Sequence, residues 1–328
     1  MNENDDFSSI VKARTRHEHG LRGDYSSMRA DYTVEQRYER YTDAHQDVWR
    51  RLVARQSALL PGRACASFVE AVRRLDFAAA IPRFDTVNAA LHAATRWQLV
   101  PVPGLLPDEV FFAHLAARRF PVTVWIREPE EFDYIVEPDL FHDFFGHVPM
   151  LFDPVIADYL QAYGRGGLKA ATLGGLKYLA RLYWYTIEFG LIAEHGALRA
   201  YGAGILSSPA EIRHAIESPD PHRLEFDLVR VMQTRYLIDD FQHTYFVIDS
   251  FDQLFRETAP DFSLLYRALA RLPELDPDRV EAGEAEVGPD RVEAGQTGAG
   301  QNPVEAGRAE AGPDRVEAGQ TGAGQDPV

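Results

Sequence analysis

The chain first falls into a helical rhythm after residue 33, where Tyr38, Tyr41, His45, Val48, Trp49, Leu52 and Leu59 recur at helical spacing. That spacing predicts a long helix over residues 34–60, with Thr33 placed to cap it. Shorter helices follow at 66–75 and 84–95, the second introduced by Pro82, and Pro107 opens another over 108–117. The first convincing strand is 122–126, where β-branched and aromatic residues run together. After Asp139 the helical pattern returns. Residues 176–195 are apolar almost all round, which predicts a central helix. Residues 198–206, with Gly202 and Gly204, read as a short strand or hairpin, 245–248 as a second strand, and Ser250 as the cap of a terminal helix to about residue 270. The expected fold is mainly α: a single helical domain with a small β-sheet or hairpin component.

The two ends differ from this body. PDRVEAG occurs at 277–283, 289–295 and 313–319, and QTGAGQ follows the last two copies. These repeats offer little to bury, so ordering them would lose backbone entropy without compensation. Residues 273–328 are therefore expected to be a disordered tail, residues 1–30 a flexible polar arm, and residues 31–272 one domain. A content of 45% hydrophobic residues supports a large core. The formal charge of -16 argues against nucleic acid or anionic membrane as partner, because no cationic excess exists to displace counterions. Cys65 is the single cysteine, which excludes an internal disulfide and reads as a small buried hydrophobe. Residues 1–10 lack the pattern of a secretory signal, and no apolar run approaches the length of a membrane span. A cytoplasmic protein is expected.

Candidate chemistry concentrates in Pro138-Asp139-Leu140-Phe141-His142-Asp143-Phe144-Phe145-Gly146-His147-Val148-Pro149. Imidazoles five residues apart on an ideal α-helix point roughly 140° away from each other. His142 and His147 can share a metal only if the backbone departs from that geometry, and Gly146 and Pro149 make a departure plausible. Packing or capping at a helix end is the competing explanation. Asp139, after Pro138 and before a helical run, reads first as an N-cap; Asp139 and Asp143 are also candidates to orient the histidines.

A two-histidine site needs a carboxylate, and Glu188 stands out as a lone acid in Tyr183-Trp184-Tyr185-Thr186-Ile187-Glu188-Phe189-Gly190. Burying it unpaired would be costly, so a metal, cation or donors should face it. Two histidines and one carboxylate are the ligands of non-haem iron(II) oxygenases, and zinc hydrolases use the same set. The aromatic surroundings favour a dry oxygenase cavity. A metal-free helical binding protein with structural histidines is the third reading.

With the segment Ala200-Tyr201-Gly202-Ala203-Gly204-Ile205-Leu206-Ser207-Ser208 these motifs occur in order, and over about residues 24–270 the chain resembles the pterin-dependent aromatic amino acid hydroxylases, in particular the short bacterial phenylalanine 4-hydroxylases. The resemblance implies that His142, His147 and Glu188 bind iron(II). It places Arg127 at the amino acid's carboxylate and Trp184, Phe189 and Ser207 on the substrate side. Phe111 then stacks on the pterin, with Tyr134 near the same pocket and Leu105 and Leu106 offering backbone contacts. Val247 falls where a tyrosine-specific enzyme would carry an acid, which suits phenylalanine. The implied reaction is hydroxylation of L-phenylalanine to L-tyrosine with O2 and a tetrahydropterin, the first step of phenylalanine degradation. A dehydratase and reductase system would recycle the pterin. The arm is too short for a regulatory domain and the tail lacks heptads, so a monomer is expected.

Overall fold

The computed structural model describes residues 21–135, 137–238, 240–259, 261–280 and 286–288. The chain divides into two units, Met1–Glu293 and Ala294–Val328. The second unit lies outside the described residues, as do residues 1–20 of the expected arm and nearly all of the repeats.

The first helix, α1 (Asp43–Leu59), starts later than the hydrophobic rhythm suggests. Its cap is Thr42, whose hydroxyl accepts from the His45 N–H while His45 Nδ1 accepts from the Thr42 N–H, both at 3.2 Å. Thr33 is instead engaged by Asp31, and the Val34 N–H donates to Pro101 O at 2.9 Å, which holds residues 33–34 extended beside a strand. Helices α2 (Ala66–Leu75) and α3 (Phe84–Thr95) match expectation and end in left-handed residues, Asp76 and Arg96.

Next comes a parallel pair, β1 (Gln98–Val102) and β2 (Arg119–Thr123), joined through α4 (Asp108–Ala116). Strand β1 escapes the sequence reading because it is five residues long and contains Pro101. Strand β2 begins before the expected 122–126, since its ladder partners are fixed from Gln98–Arg119 to Val102–Thr123. Beyond it the extended chain turns to a new partner, with Leu140 N–H donating to Trp125 O at 2.8 Å.

Helix α5 (Pro154–Leu173) leads into α6 (Leu176–Tyr183). The expected central helix 176–195 is not continuous. It loosens into a π-helical segment, Trp184–Glu188, and then becomes β3 (Leu191–Glu194). A two-residue turn of His195 and Gly196, both at positive φ, joins β3 to the antiparallel β4 (Ala197–Ala200). The short helix α7 (Ala203–Ser207), α8 (Pro209–Glu217), β5 (His222–Glu225), α9 (Leu228–Gln233) and β6 (Thr244–Ile248) follow. The second sheet has the order β4-β3-β6-β5. The terminal helical stretch is two helices, α10 (Phe251–Thr258) and α11 (Ser263–Leu269).

The core that positions the site is aromatic. Trp49 of α1 meets Phe141 and Phe144 edge-on at 5.9 and 5.8 Å, Phe77 meets Phe144 and Phe145, and Phe141 stacks on Phe145 at 4.9 Å. These rings seat the histidine-bearing segment, and such pairs add directional preference to their area burial. Cys65 is buried as expected, and burial pushes its thiol up to about 12. Among the chain's outer segments, Tyr25 Oη donates to Leu105 O at 3.0 Å, and Arg235 backbone N–H donates to Leu275 O at 2.9 Å. Among the described residues, no helix is long and apolar enough to cross a membrane.

Candidate metal centre

Residues His142–His147 form a π-helical segment, and this resolves the spacing problem of the two histidines. With i→i+5 bonding, residues five apart come round to the same side. The His142 and His147 rings lie 5.2 Å apart, nearly perpendicular at 85°. Glu188 closes the other π segment, whose widened turn is marked by Phe189 N–H donating to Trp184 O at 2.8 Å. Glu188 Oε2 stands 3.6 Å from His142 Nε2, and Oε1 stands 3.2 Å from His147 Nε2. One ligand atom from each residue lies within 4.8 Å of the others.

The cluster is buried on one side and open on the other: the side chains of His147 and Glu188 are 5% and 8% exposed, that of His142 20%. Burial pushes the Glu188 carboxyl up, but His147 and then His142, with the Gly204 N–H, outweigh it and hold it below the ordinary carboxylate value. Burial also keeps His142 below the usual imidazole range, whereas for His147 the Glu188 charge overcomes burial and raises it. The negative charge that favours a proton on His147 is the charge a divalent cation would use. His142 Nδ1 lies 2.9 Å from Ser207 Oγ, which leaves Nε2 for a metal. The donor set, convergence and open side fit a mononuclear divalent metal.

Supporting contacts hold the three segments together. Asp139, fully buried, accepts from Arg127 Nε at 2.8 Å, Nη2 at 2.9 Å and backbone N–H at 3.0 Å, and from the His142 N–H at 3.0 Å. It is thus both the expected cap and the partner of Arg127. Burial raises its carboxyl, but Arg127 more than offsets this and the net direction is down. Asp143 Oδ2 accepts from the Thr123 N–H at 2.8 Å, tying the histidine segment to β2, and burial holds its carboxyl above the usual value. Gly202 and Gly146 allow close backbone approach. A Cβ on Gly202 would stand 2.4 Å from Glu188 O, and one on Gly146 2.9 Å from Ala203 O. Around the cluster, Phe120 lies 5.1 Å and Tyr183 6.4 Å from the His147 ring, and Trp184 packs between Phe189 at 4.8 Å and Tyr236 at 4.4 Å.

Comparison with known proteins agrees with this geometry. Residues 20–266 match the family described as biopterin-dependent aromatic amino acid hydroxylase. The chain belongs to that family. It is 56% identical over 275 residues to the phenylalanine-4-hydroxylase of Ralstonia nicotianae, covering 84% of this chain and 87% of that protein. It is 55% identical over 271 residues to the phenylalanine-4-hydroxylase of Chromobacterium violaceum, covering 82% and 90%. The crystal structure of the Chromobacterium violaceum phenylalanine hydroxylase with iron and phenylalanine bound superposes with a TM-score of 0.76 at 50% identity, covering 86% of this chain and 100% of that one.

The remaining residues expected in the hydroxylase's site are placed as follows. Arg127 is buried, paired with Asp139 rather than with Glu128 or Glu131. Phe111 meets Tyr183 edge-on at 5.8 Å, one ring removed from His147. Leu106 is buried and Leu105 half-buried, whereas Tyr134 is 64% exposed and is not part of the ring cluster. Val247 is buried in β6, opposite Leu191 of β3. Sequence reasoning missed Phe120, Tyr183, Tyr236 and Gln242. The last had a signal: an indole N–H in a dry stretch needs an acceptor, and Gln242 Oε1 lies 2.9 Å from Trp184 Nε1.

Proposed function

We propose that this chain is a phenylalanine 4-monooxygenase that converts L-phenylalanine to L-tyrosine with O2 and a tetrahydropterin. The observation that carries the proposal is the convergence of His142, His147 and Glu188, whose ligand atoms lie within 4.8 Å of one another inside an aromatic shell. These residues would hold iron(II) as a facial triad with open positions. Bound iron(II) and a tetrahydropterin would supply the activation of O2 for hydroxylation of the substrate ring.

The protein's own share is binding, orientation and exclusion of water. Asp139 occupies Arg127 Nε and Nη2, so the guanidinium is held in one plane with Nη1 the less engaged nitrogen, 3.5 Å from Phe132 O. That pre-orientation suits recognition of the amino acid's carboxylate. Trp184 and Phe189 would wall the ring, and Ser207 would fix the His142 imidazole. Phe111 would stack on the pterin, Leu105 and Leu106 would meet its polar edge, and Tyr134 would lie at the rim. The apolar Val247 supports phenylalanine over tyrosine. The same reading takes the protein as a cytoplasmic monomer whose oxidised pterin is regenerated by a dehydratase and reductase, as the first step of phenylalanine degradation.

The test is product formation from phenylalanine, tyrosine and tryptophan under air with iron(II) and a synthetic tetrahydropterin. Tyrosine from phenylalanine that needs both iron and pterin is expected. Product formation without pterin, or none from phenylalanine by folded iron-loaded protein, would overturn the assignment.

A further inference from the structure

We infer that Gln242 is a positioning residue for the amino acid substrate, fixing the indole of Trp184 in its plane and so the outline of the ring pocket. The inference rests on the reading of Trp184 as a wall of that pocket. Trp184 is stacked on Tyr236 at 16° and tilted against Phe189 at 32°. Stacking of this kind fixes the plane of a ring but tolerates sliding and rotation within it. The hydrogen bond from Trp184 Nε1 to Gln242 Oε1, at 2.9 Å, removes that freedom.

The acceptor is itself immobilised. Gln242 is 2% exposed. Its Nε2 donates to Leu237 O at 2.7 Å and more weakly to Asp240 O at 3.4 Å, which sets the amide with its oxygen toward the indole. Its backbone N–H faces Glu211 Oε1 at 3.4 Å, and its carbonyl oxygen lies 3.1 Å from His214 Nε2. The Gln242 backbone, two residues before the start of β6, is thereby tied to α8. Trp184 begins the π segment that ends at Glu188, so a shift of the indole would alter the pocket beside the triad.

The test is phenylalanine binding by calorimetry to iron(II)-loaded protein without O2 or pterin, comparing wild type, Gln242→Met, Trp184→Phe and the double variant. Gln242→Met preserves volume and removes the acceptor. It should raise the Kd for phenylalanine about 3- to 10-fold, the scale of one net hydrogen bond, and leave the Kd for tetrahydropterin unchanged. On the Trp184→Phe background, which has no indole N–H, the same substitution should add almost nothing. Equal weakening on both backgrounds, or no change in phenylalanine affinity, would overturn the inference. Wild-type affinity in Trp184→Phe alone would instead remove Trp184 from the pocket and take the inference with it. Gln242→Asn, which draws the amide back from the indole, serves the same cycle if the methionine variant does not fold.

Discussion

Arg127 and Asp139 form a two-pronged ion pair inside the protein, with Nε to Oδ2 at 2.8 Å and Nη2 to Oδ1 at 2.9 Å. The same carboxylate caps the turn that starts the histidine segment, through the His142 N–H. One buried side chain therefore links the proposed substrate anchor to the proposed metal site. Asp139→Asn would leave the guanidinium buried without its counter-charge, a loss of about 3–5 kcal/mol for pairs of this kind. We expect a lower urea midpoint together with a phenylalanine KM raised at least about tenfold. A variant with wild-type stability and KM would show that the pair is dispensable.

Gly202 presses the loop after β4 against Glu188. Its φ of -70° is open to any residue, so only space forbids a side chain: a Cβ would stand 2.4 Å from Glu188 O and 2.5 Å from Gly190 N. Both neighbours are backbone and cannot swing aside. Gly202→Ala should cost about 1–3 kcal/mol by overpacking and displace the Glu188 carboxylate. Iron(II) affinity is expected to fall at least about tenfold, as for other supports of metal ligands. Anaerobic iron titration measures this directly, and unchanged affinity would contradict the packing argument.

Glu211 gives a pH signature in stability. Burial raises its carboxyl from 4.5 to about 7, opposed by the hydroxyl of Tyr245, which donates to it at 2.6 Å. Below the lower value the folded and unfolded chains both carry the proton. Between the two values the unfolded chain releases it while the folded chain keeps it, so Glu211's contribution falls as pH rises and is level above the folded value. The window corresponds to about 3 kcal/mol at most. Glu211→Gln removes this slope, so the variant should gain stability relative to wild type between about pH 5 and about pH 8. Denaturant midpoints at the two pH values decide it, and a constant difference would contradict the burial effect.

The site was legible in the sequence further than the fold was. Glu188 stood out because an acid among Trp184, Tyr185, Ile187 and Phe189 needs a partner, and the need for non-helical geometry between His142 and His147 followed from helix periodicity alone. Its form did not. The departure is a π segment, and the 176–195 run hides a second one, because apolar residues buried on all sides carry no period to separate helix from strand. Strands β1 and β5 were missed since each is short and owes its existence to a distant partner, β2 and β6. The Arg127–Asp139 pair was invisible for the same reason: nearby Glu128 and Glu131 offered closer partners in sequence, and only the fold buries Asp139 beside the guanidinium.

The most direct test of the account is iron(II) bound per chain after anaerobic loading and desalting, compared between wild type and Glu188→Ala. Wild type should retain one iron per chain, and the variant, with an unchanged circular dichroism spectrum, should retain almost none and form no tyrosine. A Glu188→Ala protein that keeps iron with wild-type affinity would show that the metal sits elsewhere and that His142, His147 and Glu188 are not its ligands.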